Sequence, residues 1–313
     1  MKQLPLAITG GDCAGIGPEI TARAAAAFPN ETFLLYTHRA LFERACAAAG
    51  VAVPGNLTFI EQPLGCDAAD VVPGQNQAAV GDLAYRCVVA AGQDALAGKI
   101  RGIVTAPFSK AALHLAGHFI PGHTELLASL CGREEATMAF FAPGLVVSLV
   151  TIHCALRDVP GLITRERLLR VFKDTALAVE RVVGRRARLG VLALNPHAGE
   201  EGAFGDEEAR VIAPAIAEAQ VWADFEGPLV PDTAMVPHPG APETFDGFVA
   251  MYHDQGLIPF KRQAFAQGVN VTLGLPFVRT SPDHGTAFNL AWQGRASAES
   301  MVAAIIKAQE LTR

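Results

Sequence analysis

Six short apolar runs, at residues 4–9, 32–36, 100–105, 145–152, 189–194 and 245–252, alternate with stretches of helical periodicity such as 83–96 and 165–183. Runs that are apolar almost throughout suit strands buried on both faces, and a helix between consecutive strands returns the chain to make them parallel. The pattern predicts an α/β chain built on a mostly parallel sheet with helices on its faces. With 313 residues, half of them hydrophobic, there is material for two domains of roughly 150 residues each.

Composition narrows the function. No stretch approaches the ~18–20 apolar residues of a membrane-crossing helix. The six cysteines are scattered without a Cys-x-x-Cys pair, which predicts reduced thiols and a cytoplasmic location. The formal charge is −6 and the densest basic cluster is Arg185, Arg186 and Arg188, so nucleic acid is not an expected partner. A small anionic ligand needs only a few well-placed cations.

The first apolar run enters Gly10-Gly11-Asp12-Cys13-Ala14-Gly15-Ile16-Gly17-Pro18-Glu19-Ile20. A Walker loop would need Gly-Lys-Ser/Thr where Gly17-Pro18-Glu19 stands, and a Rossmann fingerprint would need glycine where Ile20 stands. Both are rejected. The turn is left either structural or facing a ligand.

Three separate apolar runs finish on histidine: LVVSLVTIH at His153, LGVLALNPH at His197 and FDGFVAMYH at His253. In an open parallel sheet ligands collect beyond the carboxyl ends of strands, so the three imidazoles are expected to converge on a metal. Three imidazoles with a fourth position open suit zinc, with nickel, cobalt or iron chemically acceptable; magnesium normally takes more oxygen. Asp254 and Asn195 are candidates to orient these rings or to join them as ligands. The pair His114 and His118, four apart, lacks the glutamate of a zinc-protease helix and is read as structural. Lys261, Asn270 and Arg279 are candidate anion contacts. The residues alone leave hydrolase, aldolase and dehydrogenase open.

The ordered set of motifs goes further. GDCAGIGPE, VTAPFSK, PGHTE, HCALRDVP, LNPHAGEEG, GPLVPDT, YHDQGLIPFK and GVNVTLGLPFVRTSPDHGTA together resemble the 4-hydroxythreonine-4-phosphate dehydrogenases of pyridoxal phosphate biosynthesis, over nearly the whole chain. The resemblance implies a two-domain α/β/α sandwich similar to isocitrate and isopropylmalate dehydrogenases, with a cleft between the domains. The boundaries expected are 1–119 with 268–313 for the first domain and 120–267 for the second, which carries the metal histidines. It also implies a homodimer with a shared active site, to which His253 comes from the neighbouring subunit.

Position by position, the resemblance makes His153, His197 and His253 metal ligands, and His123, Thr124, Lys261, Asn270 and Arg279 substrate contacts. Lys261, Asp254 and Asp232 are the candidates for proton transfer. His284, Gly285, Thr286 and Asn289 fall on the NAD or NADP side; the metal expected is zinc, with cobalt or magnesium as alternatives. The implied reaction oxidises 4-phosphooxy-L-threonine to 2-amino-3-oxo-4-phosphooxybutanoate, which decarboxylates to 3-amino-2-oxopropyl phosphate for pyridoxine 5'-phosphate synthesis. Alternatives are a dehydrogenase of D-threonate or D-erythronate 4-phosphate, or a zinc aldolase or hydrolase. Cys13 departs from a common proline, Phe108-Ser109 from a frequent Ile-Asn, and Asn289 and Trp292 from an Asp and a Gly.

Overall fold

The computed structural model describes residues 4–236, 245–264 and 267–313. Its strands are β1 (Leu6–Thr9), β2 (Phe33–Thr37), β3 (Leu57–Glu61), β4 (Gly102–Thr105), β5 (Thr137–Ala142), β6 (Leu145–Leu149), β7 (Arg188–Leu192), β8 (Asp224–Leu229), β9 (Gly247–Ala250), β10 (Val269–Leu273) and β11 (Val278–Pro282). The six apolar runs became β1, β2, β4, β6, β7 and β9, and helices stand between most of them, so the fold is the expected α/β class. Among the described residues no helix is long and apolar enough to cross a membrane.

The chain forms two compact units, residues 1–136 with 269–313, and residues 137–268. In the first, the strand order is β3-β2-β1-β4-β11-β10, parallel except for the β10–β11 hairpin. In the second the order is β5-β6-β9-β7-β8, parallel except for the β5–β6 hairpin. Residues 120–136, assigned to the second domain from the sequence, pack instead with the first. The helix His123–Leu130 buries Leu126 and Leu127 in one core with Val88, Ala91 and Ile103, and an apolar face so committed cannot be shared elsewhere.

Local chemistry sets the helix ends. The helix Gly17–Ala26 opens on Pro18, whose missing N–H would have had no partner there anyway. The helix Arg165–Val183 is capped by Thr164, whose side chain accepts from the Arg167 amide, and stops at Gly184 with φ 70°. Its buried residues Leu168, Val171, Phe172, Thr175 and Val179 recur at the three-to-four spacing of one face.

Two features position the chemistry. Strands β6, β9 and β7 are adjacent and parallel, so their carboxyl ends share one sheet edge, and His153, His253 and His197 all follow those ends. In the other unit, the β10–β11 hairpin sets Thr272 opposite Arg279 and Asn270 opposite Ser281. Side chains two apart on a strand, and directly opposed across a pair, lie on one face.

Candidate functional site

That face holds a buried cation. Arg279 is 3 % exposed, and its guanidinium donates to Thr105 Oγ1 (3.1 and 2.7 Å) and to Thr272 Oγ1 (3.0 Å), hydroxyls that carry no charge. Burial pushes it down to about 9, with Glu125 partly opposing, so it remains charged at neutral pH. Thr124 reaches Thr272 through hydroxyls 3.1 Å apart. His123 stacks on Phe108 with ring centroids 3.5 Å apart, and burial followed by the Arg279 charge holds its imidazole neutral. His123 Nε2 and Asn270 Oδ1 are buried without a hydrogen-bond partner. A buried polar atom left unpaired costs about 1–3 kcal/mol. A guanidinium paired only with hydroxyls, beside an imidazole nitrogen that can donate, matches an oxygen-rich anion, while the unpaired Asn270 Oδ1 calls for a donor such as a hydroxyl or ammonium on the same ligand. The structure thus brings together His123, Thr124, Asn270 and Arg279, four of the five expected substrate contacts. Lys261, the fifth, lies on the helix His253–Ala264 of the other unit.

In that unit His153 and His253 have ring centroids 5.8 Å apart. Two imidazoles bound tetrahedrally at about 2.0–2.1 Å from one ion have centroids about 5 Å apart, so this spacing admits a shared metal with little adjustment. The resemblance had His253 serving the partner's site; within one chain it lies beside His153. Asp254 Oδ1 is 2.7 Å from His253 Nδ1, the carboxylate contact that leaves Nε2 for an ion. Among the described residues no three His, Cys, Asp or Glu side chains are gathered closely enough to hold one ion, so the three histidines expected to converge are not assembled as a ready-made triad within the chain. Asp232 and Asp254 line one cleft of about 320 Å³ with Tyr252, Gln255 and Ile258, and Lys261 is not among its walls.

His197 begins an uncommon piece of backbone. Residues 197–201 all have positive φ, at 53°, 54°, 86°, 44° and 53°, a left-handed turn in which only Gly199 is glycine. At about 1–2 kcal/mol for each of the other four, the turn costs roughly 4–8 kcal/mol unless its surroundings hold it. Glu208 stands against it. Its Oε1 accepts from the Leu194 and Asn195 amides (2.9 and 2.8 Å) and its Oε2 from Asn195 Nδ2 (3.0 Å). Burial opposes ionisation of Glu208, but the Asn195 side chain and backbone amides outweigh it and hold the carboxyl below its usual range.

The glycine-rich turn is resolved in favour of packing. A Cβ on Gly11, whose φ is 65°, would sit 2.3 Å from the Pro107 carbonyl, and one on Gly15 would sit 2.7 Å from the Thr286 carbonyl. The Ile16 amide donates to that same Thr286 carbonyl at 3.1 Å. The turn is thus the floor beneath the expected cofactor loop, whose His284, Gly285 and Asn289 are exposed and whose Gly285 faces open space. Two of the departures meet here: Trp292 Nε1 donates to the Cys13 carbonyl at 2.8 Å, and Arg44 covers the indole at 4.8 Å.

Sequence reasoning missed Asp12, which is fully buried with Oδ2 unpaired. Burial pushes its carboxyl up to about 7 against the amides of Ala14 and Ser109, which favour the charged form. The only sequence signal was an acid at the exit of an apolar strand. The structural reading of His118 stands: it stacks on Tyr85 and pairs with Asp82 at 2.8 Å.

Comparison with known proteins agrees with this layout. Residues 25–308 match the family described as pyridoxal phosphate biosynthetic protein PdxA. A 4-hydroxythreonine-4-phosphate dehydrogenase of Geobacter metallireducens is 47% identical, with 98% of this chain and 95% of that protein covered. A D-threonate 4-phosphate dehydrogenase of Salmonella typhimurium is 42% identical, with 99% and 100% covered. The crystal structure of 4-hydroxythreonine-4-phosphate dehydrogenase from Klebsiella pneumoniae superposes with TM-score 0.86 at 40% identity, covering 99% of this chain and 100% of that one. At 16% identity and TM-score 0.51, isocitrate dehydrogenase from Methylococcus capsulatus shares the fold, with 98% of this chain and 85% of that one covered. The chain is an oxidoreductase and belongs to the PdxA family.

Proposed function

We propose that this protein is a dehydrogenase of a phosphorylated four-carbon acid, and that its substrate is 4-phosphooxy-L-threonine, oxidised at C3 with NAD or NADP and a divalent metal. The observation that carries the reading is the buried Arg279, paired with hydroxyls and bordered by the unpaired His123 Nε2 and Asn270 Oδ1. Arg279 offers the phosphate a planar fork, neutral His123 offers a hydrogen bond, the Thr124 and Thr272 hydroxyls complete the seat, and Asn270 Oδ1 accepts from a hydroxyl or ammonium of the substrate. D-Threonate 4-phosphate is the second reading, supported by full-length relatives at 42% identity that bear that name.

The metal ligands in this proposal are His153, His197 and His253, with zinc first and cobalt or magnesium as alternatives. When bound, the metal supplies Lewis acidity towards the hydroxyl being oxidised, and the nicotinamide accepts hydride. Asp254 holds the His253 ring through Nδ1, which leaves Asp232 or Lys261 to take the hydroxyl proton. His284, Gly285, Thr286 and Asn289 border the cofactor, on the floor formed by the glycine turn. A homodimer in the cytoplasm belongs to the same proposal.

Calorimetry on Arg279→Met tests the substrate seat. The wild-type protein binds 4-phosphooxy-L-threonine and the variant loses at least about 2 kcal/mol, or about 30-fold in affinity, as expected when one partner of a buried charged pair is removed. Equal binding by the folded variant contradicts the assignment.

A further inference from the structure

We propose that Glu208 is a positioning residue for His197, holding the turn that sets the direction of an imidazole assigned to a metal; the inference rests on the reading of His197 as a ligand. The chain leaves β7 at Leu192, and the next two residues but one, Leu194 and Asn195, are clamped to a single carboxylate oxygen by both their amides. The second oxygen takes Asn195 Nδ2, which also donates to Glu207 Oε2 at 2.7 Å. His197 follows two residues later as the first member of the left-handed run. The middle of that run closes on the same carboxylate, because a Cβ on Gly199 would lie 2.9 Å from Glu208 Oε2.

Glu208 therefore grips the entry of the turn and abuts its centre. It is itself fixed, 6 % exposed and the first residue of a π-helical turn, Glu208–Ile212. Insertions of that kind in a helix recur at functional sites. A left-handed run of His, Ala and two Glu does not persist by local preference, so what holds its shape sets the direction of the His197 ring. Glu208 is not proposed to touch the metal or the substrate. It acts through Asn195 and the backbone.

The test is Co²⁺ affinity of the full-length protein by chelator competition for wild type, His197→Ala, Glu208→Ala and Glu208→Gln, with hydrogen exchange of residues 194–202 followed in the metal-free state. Loss of a group that orients a metal ligand commonly costs 10–100-fold in affinity, so Glu208→Ala is expected to lose about that much, and Glu208→Gln, which keeps one acceptor oxygen, at least about threefold. Exchange at 194–202 is expected to quicken in both, while binding of inorganic phosphate at the Arg279 seat and far-UV circular dichroism stay at wild-type values. If Glu208→Ala does not fold, Glu208→Gln decides. Wild-type Co²⁺ affinity in the folded Glu208 variants, with His197→Ala weakened, overturns the role of Glu208 alone. Wild-type affinity in His197→Ala removes the ligand reading, and this proposal with it.

Discussion

Replacing Asp12 with asparagine isolates the cost of holding a carboxyl inside the glycine turn. In the folded protein the group keeps its proton until about pH 7, whereas its ordinary value is 3.8. Between those values the folded state binds more protons than the unfolded one, so this residue makes stability fall as pH rises, the reverse of a salt-bridged aspartate. A shift of about three pKa units corresponds to about 4 kcal/mol, of which roughly 3 kcal/mol falls between about pH 4.5 and pH 8. No reduction for solvent screening applies, because Asp12 is fully buried. The assay is urea unfolding of wild type and Asp12→Asn at both pH values, taking the difference between the proteins at each so that other titrating groups cancel. Asp12→Asn is expected to gain roughly 3 kcal/mol on wild type over that span. A difference constant to within about 0.5 kcal/mol would show that Asp12 ionises normally and that the burial argument fails.

The floor under the proposed cofactor loop and the imidazole geometry make their own predictions. Gly15→Ala places a methyl against the Thr286 carbonyl and is expected to raise the KM for the dinucleotide several-fold while leaving phosphate binding unchanged, since the turn meets the loop rather than the Arg279 seat; an unaltered KM in steady-state assays would separate the two. Asp254→Asn removes the partner of His253 Nδ1 and is expected to lower metal affinity about 10–100-fold, measured by chelator competition.

What could be seen in the sequence depended on how local its cause was. The strand-end histidines were visible because an apolar run that stops on His needs no distant information. That β6, β9 and β7 are neighbours, and so bring those ends to one edge, depends on strand pairing across a hundred residues. The left-handed turn at His197 was hidden for a similar reason. PHAGEEG has too few glycines to announce positive φ, and the shape is held by Glu208 from the following helix. Asp12 looked like an ordinary turn residue because Pro107 and Ser109, which help bury it, lie far along the chain. Cys13 and Trp292 looked like two separate departures, and in the fold they touch. The sequence offers no local sign that residues 120–136 belong with the first unit; the burial of Leu126 and Leu127 in its core puts them there.

The most direct test is NADH formation at 340 nm by the metal-loaded protein, with 4-phosphooxy-L-threonine, D-threonate 4-phosphate and D-erythronate 4-phosphate compared side by side and with a chelator control. Substrate-dependent NADH is expected, with highest turnover on 4-phosphooxy-L-threonine and loss of the signal in the chelator. Preference for one of the sugar-acid phosphates would move the substrate while keeping the chemistry. No NADH from any of the three, with NAD or NADP and metal supplied, would contradict the assignment as a dehydrogenase of a phosphorylated four-carbon acid.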